Sequence, residues 1–292
     1  MSERPDAAAS LPERIRRGFA GYTDAEQRVA HALLGEYPTA GLDTVAGLAR
    51  RAGTSGPTIL RFVARLGFAS YASFQDAIKS EIQVRLQGPL SRYDESARRA
   101  DGEDGDVYRR VADALRHCID VIERDFPRED LARIVERLSD TERKVFCLGG
   151  RFSSMIAAYL HQYLRELRPG VRTIRGGNAA WADYLVDIGE GDVLVVFDFR
   201  RYQRDVLHFA KGAAGQGAEI VLVTDIWYSP ISAFADVVVP CPVSIPSAFD
   251  SGIGGLAVAE LVTAGVVERL GTRSRDRMTR LERLRAPFAP RS

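Results

Sequence analysis

Apolar residues in the first third of the chain recur at helical spacing. Thr23 and Glu26 form a capping box that opens a predicted helix through Val29, Ala30, Leu33 and Leu34. Between Thr44 and Phe68 the chain reads TVAGLARRAGTSGPTILRFVARLGF, two short amphipathic helices around a Gly-Thr-Ser turn. From residue 107 onward the pattern changes. Two predicted helices, about 107–124 and 128–139, lead into short β-branched apolar runs at 145–148, 171–174, 193–197, 220–224 and 237–240, separated by helical stretches. A helix over 153–167 follows the first run, and the last predicted helix, 253–270, is apolar on most faces. Strands apolar on both sides and alternating with helices predict a five-stranded parallel sheet covered on both faces, a doubly wound α/β layout. In such sheets ligands bind beyond the carboxyl ends of the strands, which directs attention to the loops 149–154, 175–180, 198–204, 225–230 and 244–251.

The spacing in the window 44–68 is that of a helix-turn-helix. Ala49 lets a second helix approach, and Gly53 supplies a turn position where a Cβ is often not tolerated. Ser55 is placed to cap the second helix with its hydroxyl, and Pro57 falls in the first turn, where a missing N–H costs nothing. Ile59, Phe62, Val63 and Leu66 make the buried stripe, which leaves Thr58, Arg61 and Arg65 on the opposite face. The window holds four arginines and no acidic residue. A recognition helix meets base edges with its N-terminal residues, so Thr58 and Arg61 are the candidates for base contact, and Arg61 could grip a guanine bidentately. Thr44, Arg50, Arg51, Ser55, Pro57 and Arg65 complete the expected DNA-binding set, with the arginines suited to phosphates.

Composition bounds the rest. A chain of 292 residues, 46% hydrophobic and 27% charged, has room for two globular domains. No apolar run is long enough to span a bilayer, and Met1–Ser10 is polar and alanine-rich, so neither a membrane segment nor a secretory leader is expected. Cys118, Cys147 and Cys241 are scattered, show no metal spacing, and read as reduced core residues of a cytoplasmic protein. The formal net charge is +1, so any basic footprint must be local. Besides the 44–68 window, the stretch 273–292 carries seven arginines against one aspartate and one glutamate. Between Gln87 and Asp106 the sequence turns polar and mixed in charge, with almost nothing to bury. The expected organisation is a DNA-binding domain at 1–86, a linker at 87–106, an α/β domain at 107–272 and a basic tail at 273–292.

Two strand-end loops carry candidate chemistry. The first is GGRFSS, where the free N–H groups of Gly149, Gly150 and Arg151, the positive end of the following helix and the Ser153 and Ser154 hydroxyls could hold an anion. A tight turn whose serines only cap the helix would read the same, and the loop is neither a P-loop nor a dinucleotide fingerprint. The other is the run Asp198, Phe199, Arg200, Arg201, Tyr202, Gln203, with strong charges at a strand end. Asp198, Arg200 and Arg201 either pair among themselves or hold a phosphate or carboxylate.

These residues resemble a known family. The segment 11–82, with TVAGLARRAGTSGPTILRFVARLGF and the following YASFQDAI, looks like the helix-turn-helix domain of MurR/RpiR transcriptional regulators, and the C-terminal half looks like their sugar-isomerase (SIS) domain. The resemblance implies an all-α helix-turn-helix domain followed by a flavodoxin-like α/β SIS domain, operating as a homodimer or homotetramer. It implies double-stranded operator DNA and a small anionic metabolite, a phosphosugar or related compound, as partners. Gly149 and Ser153 match the family's Gly-x-Gly-x-Ser turn, but Arg151 replaces its second glycine. Where the family has a Ser-x-Ser-Gly-x-Thr phosphate loop, this chain has Asp198 to Gln203, without those hydroxyls. An acid or phosphate held by arginine is the expected alternative, with Ser247 and Ser251 of the last loop completing the ligand-binding set. No cofactor, metal or catalytic residue is expected. An SIS-fold isomerase or lyase would need a carboxylate or histidine to move a proton, and Glu260, Glu190, His161 and His208 are the candidates, none of them in a strand-end loop.

Overall fold

In the computed structural model, residues 10–86, 88, 90–93, 106–176 and 178–288 are described. The chain divides into two compact units, Met1–Glu95 and Ser96–Ser292. Most of the expected linker at 87–106 lies outside the described residues.

The first unit is helical: α1 (Leu11–Arg17), α2 (Asp24–Gly35), α3 (Thr39–Leu42), α4 (Val45–Arg51), α5 (Gly56–Arg65) and α6 (Tyr71–Leu86). Local chemistry sets the starts. Thr23 N–H donates to Glu26 Oε2 at 2.8 Å while Glu26 N–H donates to Thr23 Oγ1 at 3.4 Å, completing the capping box of α2. Thr44 Oγ1 accepts the Gly47 N–H at 3.0 Å and caps α4. The turn to α5 passes through Gly53 at φ +59°, a left-handed conformation that a side chain would strain. Val29, Leu33, Leu48, Ile59, Phe62, Val63, Leu66, Phe74 and Ile78 form one core cluster. Each such side chain contributes roughly 1.5–3 kcal/mol by leaving water.

The second unit begins with α7 (Val107–Asp125) and α8 (Arg128–Ser139). There follow β1 (Val145–Gly149), α9 (Ser154–Leu167), β2 (Val171–Thr173), α10 (Asn178–Asp187), β3 (Val193–Asp198), α11 (Arg204–Gly215), β4 (Glu219–Asp225) and β5 (Val237–Cys241), then α12 (Ile253–Leu270) and α13 (Thr272–Arg285). All five strands are parallel, in the order β2-β1-β3-β4-β5. Alternate residues of each strand feed two core layers. Val145, Cys147, Val195 and Phe197 pack with Leu138, Leu160 and Val262 on one face, and Phe146, Leu148, Leu194 and Val196 pack with Val206 and Phe209 on the other. This is the flavodoxin-like order, and its direction reverses between β1 and β3, so the loops after those two strands flank the crevice. All three cysteines are free and buried.

Most of the stretch read as a basic tail is helical. Arg, Leu, Met and Glu are strong helix formers, and α13 packs along α9, with Arg277 donating to the Arg165 carbonyl and Arg285 paired with Glu166. Among the described residues, no helix is long and apolar enough to cross a membrane, and no cluster of His, Cys, Asp and Glu could hold a metal ion.

Candidate DNA-reading helix and ligand crevice

The α4–turn–α5 unit exposes Thr44, Arg50, Arg51, Ser55, Pro57, Arg61 and Arg65, with Ala46, Leu60 and Ala64 between them. Two expectations for its first turn change. Ser55 makes no side-chain cap, because its hydroxyl lies 3.0 Å from Thr58 Oγ1. Thr58 is only 9% exposed, since the start of α5 abuts α4, where a Cβ at Gly56 would stand 3.5 Å from Val45. The Arg61 guanidinium reaches Thr58 Oγ1 at 3.4 Å, a long contact from an exposed side chain. Other arginines are engaged internally. Arg51 bridges Glu36 and Asp43, and its hydrogen bond is the leading reason the Asp43 carboxyl sits below its usual range. Arg65 pairs with Glu26 at 2.8 Å, donates to the Gly21 carbonyl and lies over the Tyr22 ring.

The strand-end crevice is occupied largely by its own side chains. Gly149 turns so tightly that a Cβ there would come within 2.5 Å of the Ser153 carbonyl. The Ser153 hydroxyl accepts the Gly150 N–H at 2.8 Å and donates to the Phe197 carbonyl at 2.6 Å, stitching the β1 loop to β3. The Arg151 N–H donates to Gln203 Oε1, and Ser154 makes a long 3.4 Å contact to the Arg151 carbonyl. The anion-holding groups expected of GGRFSS are thus engaged at Gly150, Arg151 and Ser153.

The charges after β3 resolve in a similar way. The Arg200 side chain is 3% exposed; its Nε donates to Asp250 Oδ2 at 2.6 Å, a second nitrogen donates to Oδ1, and the guanidinium lies 4.8 Å from the Trp227 ring centroid. Asp225 accepts the Arg200 and Trp227 amides and the Tyr202 hydroxyl. Asp198 is 2% exposed and accepts the Ser229 hydroxyl. Burial pushes its carboxyl up to about 7, the Ser229 bond pulls against that, and the nearby Asp225 carboxylate adds to the rise. Arg201 is exposed at φ +64°. Ser247 and Ser251 accept the amides of Phe249 and Ile253 at 3.2 Å each, so their hydroxyls shape the loop before α12. Asp250, Trp227 and Gln203, which lock this crevice, had no role assigned from sequence. The only signal was their place in strand-end loops.

The candidates for proton transfer are scattered: Glu260 is bonded to Tyr159, His161 is buried on α9, His208 is exposed on α11, and Glu190 lies in the turn before β3. Residues 138–263 match the SIS domain model. The second unit contains an SIS domain. The chain is 27% identical over 229 residues to a bifunctional protein glk of Burkholderia mallei and spans about a third of it, 34%, while covering 77% of itself. It is 24% identical over 223 residues, 74% of each chain, to an HTH-type transcriptional regulator of Providencia stuartii. Among solved structures, NanR of Vibrio vulnificus complexed with ManNAc-6P has a TM-score of 0.52 at 22% identity, covering 97% of this chain and 100% of that one. The sugar isomerase domain of an RpiR transcription factor from Sphaerobacter thermophilus has a TM-score of 0.53 at 22% identity, covering 59% of this chain and 97% of that one. The chain therefore shares its fold with NanR, and its second unit shares the fold of that sugar isomerase domain. At the end of β3 this domain places Arg200, held by Asp250.

Proposed function

We propose that this protein is a cytoplasmic, DNA-binding transcriptional regulator, a homodimer or homotetramer on paired half-sites, whose SIS domain senses a small anionic metabolite and modulates operator binding. The observation that carries this reading is the arginine-bearing, acid-free α4–turn–α5 unit joined in one chain to an SIS domain. Arg61 is the base-reading residue, with Thr44, Arg50, Arg51, Ser55, Pro57 and Arg65 as the surrounding contacts and the buried Thr58 behind them. Arg51 and Arg65, already paired with carboxylates, act as oriented phosphate contacts rather than free charges. The test is selection of bound genomic fragments by the purified protein, with and without pools of phosphosugars and sugar acids. One inverted-repeat site released by one pool supports the regulator. Arg61→Ala is expected to weaken that site by about 1–3 kcal/mol and relax its sequence preference. Equal losses on specific and random DNA would reduce Arg61 to a phosphate contact.

In the crevice, the effector's phosphate or carboxylate replaces Asp250 on Arg200, with Gly149, Gly150, Arg151, Ser153, Ser154, Asp198, Arg201, Ser247 and Ser251 around it. Exchange of one anion for another keeps the buried guanidinium compensated, while releasing the loop before α12 that Asp250 anchors. Arg200→Ala should therefore leave operator binding intact and abolish release by the effector. A full response in the Arg200→Ala, Arg201→Ala double variant would discard the arginine pocket.

One observation favours an SIS-fold sugar-phosphate isomerase or lyase instead. Asp198, with its carboxyl near 7, sits at a strand end in the range of a general acid or base. Its 2% exposure and its bond to Ser229 argue for a structural part. Turnover of common phosphosugars, lost in Asp198→Asn, would reverse that judgement.

A further inference from the structure

A second concentration of charge lies outside the strand-end crevice. Edge strand β2, the C-terminal half of α9 and helix α13 enclose an open groove of about 500 Å³, within the size of small-molecule sites. Five arginines line it, Arg165, Arg168, Arg172, Arg175 and Arg277, and no acidic residue does. Apart from Arg175, none of its lining residues belongs to the strand-end loops.

The state of each arginine decides what the groove can do. Arg172 is paired with Asp187. Arg168 and Arg277 hold backbone carbonyls, which orient them without cancelling their charge. Arg165 and Arg175 are exposed, and their guanidinium groups have no ion-pair or hydrogen-bond partner among the described residues. His161, 8% exposed, also lines the groove, and its Nδ1 is buried without a hydrogen-bond partner. A buried unpaired nitrogen is uncommon and calls for an explanation. Burial lowers the His161 pKa most, and the charges of Arg165 and Arg175 lower it further, so all three side chains share one electrostatic neighbourhood. Several uncompensated cations around one concavity focus a positive field that draws anions in.

We infer that this groove is a separate anion site, taking a small molecule that carries two or more phosphate groups. Arg165 and Arg277 come from two helices and Arg175 from the loop after β2, so these cations are spread around a groove of about 500 Å³, more than one phosphate fills. Guanidinium forks suit phosphate oxygens, and several phosphates in one molecule can engage several arginines together. The site needs no contribution from the strand-end loops, so it stands whether or not the crevice binds an effector.

The experiment is calorimetric titration of the full chain at about 0.15 M salt, near physiological ionic strength, with orthophosphate, pyrophosphate, tripolyphosphate, ATP and a sugar bisphosphate as separate arms. Affinity is expected to rise from one phosphate to three, and the ATP and bisphosphate arms tell a nucleotide from a sugar ligand. The Arg165→Ala, Arg175→Ala double variant is expected to lose at least about tenfold, the factor that 1.4 kcal/mol represents. Arg109→Ala, on exposed α7 beside the opposite sheet edge, serves as the charge control and should bind normally. Equal affinity in the double variant, or no heat with any polyphosphate at millimolar concentration, overturns the proposal. Binding of random duplex DNA at these arginines without any polyphosphate binding would also overturn it, making the groove a nucleic-acid surface.

Discussion

Arg168→Ala is expected to destabilise the SIS domain by about 3–5 kcal/mol, a large part of a typical domain's stability. Arg168 is 0% exposed, and among the described residues no carboxylate forms an ion pair with it, although the Asp140 charge lies close enough to favour its cation. Its charge is held by carbonyls: Nη1 donates to Leu138 O at 2.8 Å, Nε to Pro169 O at 2.9 Å, and Nη2 to Arg143 O. Leu138 lies in the last turn of α8, whose exposed carbonyls form the negative end of the helix dipole. One side chain therefore ties the end of α8, the turn into β1 and the end of α9 together. Alanine would leave a cavity and strip three carbonyls of their donor. Lysine, which lacks the planar fork, is expected to recover only part of the loss. Denaturant unfolding of the parent, the alanine and the lysine variants measures this, and a loss below about 1 kcal/mol would mean water replaces the guanidinium.

Nothing in the sequence separates Arg168 from the other arginines, and that contrast runs through the molecule. The strands were legible because runs such as VLVVF, buried on both sides, have few other stable placements. The helix-turn-helix was legible from Ala49, Gly53 and the Ile59, Phe62, Val63, Leu66 stripe, since crossing helices restrict size at fixed spacings. What escaped was pairing between distant segments. Arg200 meets Asp250, fifty residues on, and Arg151 meets Gln203, partnerships set by strand order and invisible to local pattern. Thr58 was assigned to the solvent face by helical phase alone, yet the close approach of α4 covers it. The helix α13 was missed because its charge suggested a solvated tail, although its residue types favour a helix.

Asp198 supplies the second large effect, and its sign is opposite to that of an ordinary paired carboxylate. Burial holds its folded-state carboxyl near 7, well above the ordinary aspartate value of 3.8. Between those values the folded chain holds a proton that the unfolded chain has released, so raising the pH favours unfolding. Its contribution is complete below about pH 4, declines as pH rises through 7, and amounts to about 2–4 kcal/mol across the window. Asp198→Asn keeps an oxygen for the Ser229 hydroxyl but cannot titrate. The difference in unfolding free energy between variant and parent should therefore grow in the variant's favour from pH 4 to pH 8. Parallel pH profiles for the two proteins would show that Asp198 titrates normally. A diverging pair would make the crevice a place where the SIS domain accepts a buried charge at neutral pH, held beside Asp225 and two strands from the edge. The same cost would accompany any second anion brought to this side of the crevice, which is why an incoming effector is expected to exchange with Asp250 on Arg200 rather than add to the carboxylates already there.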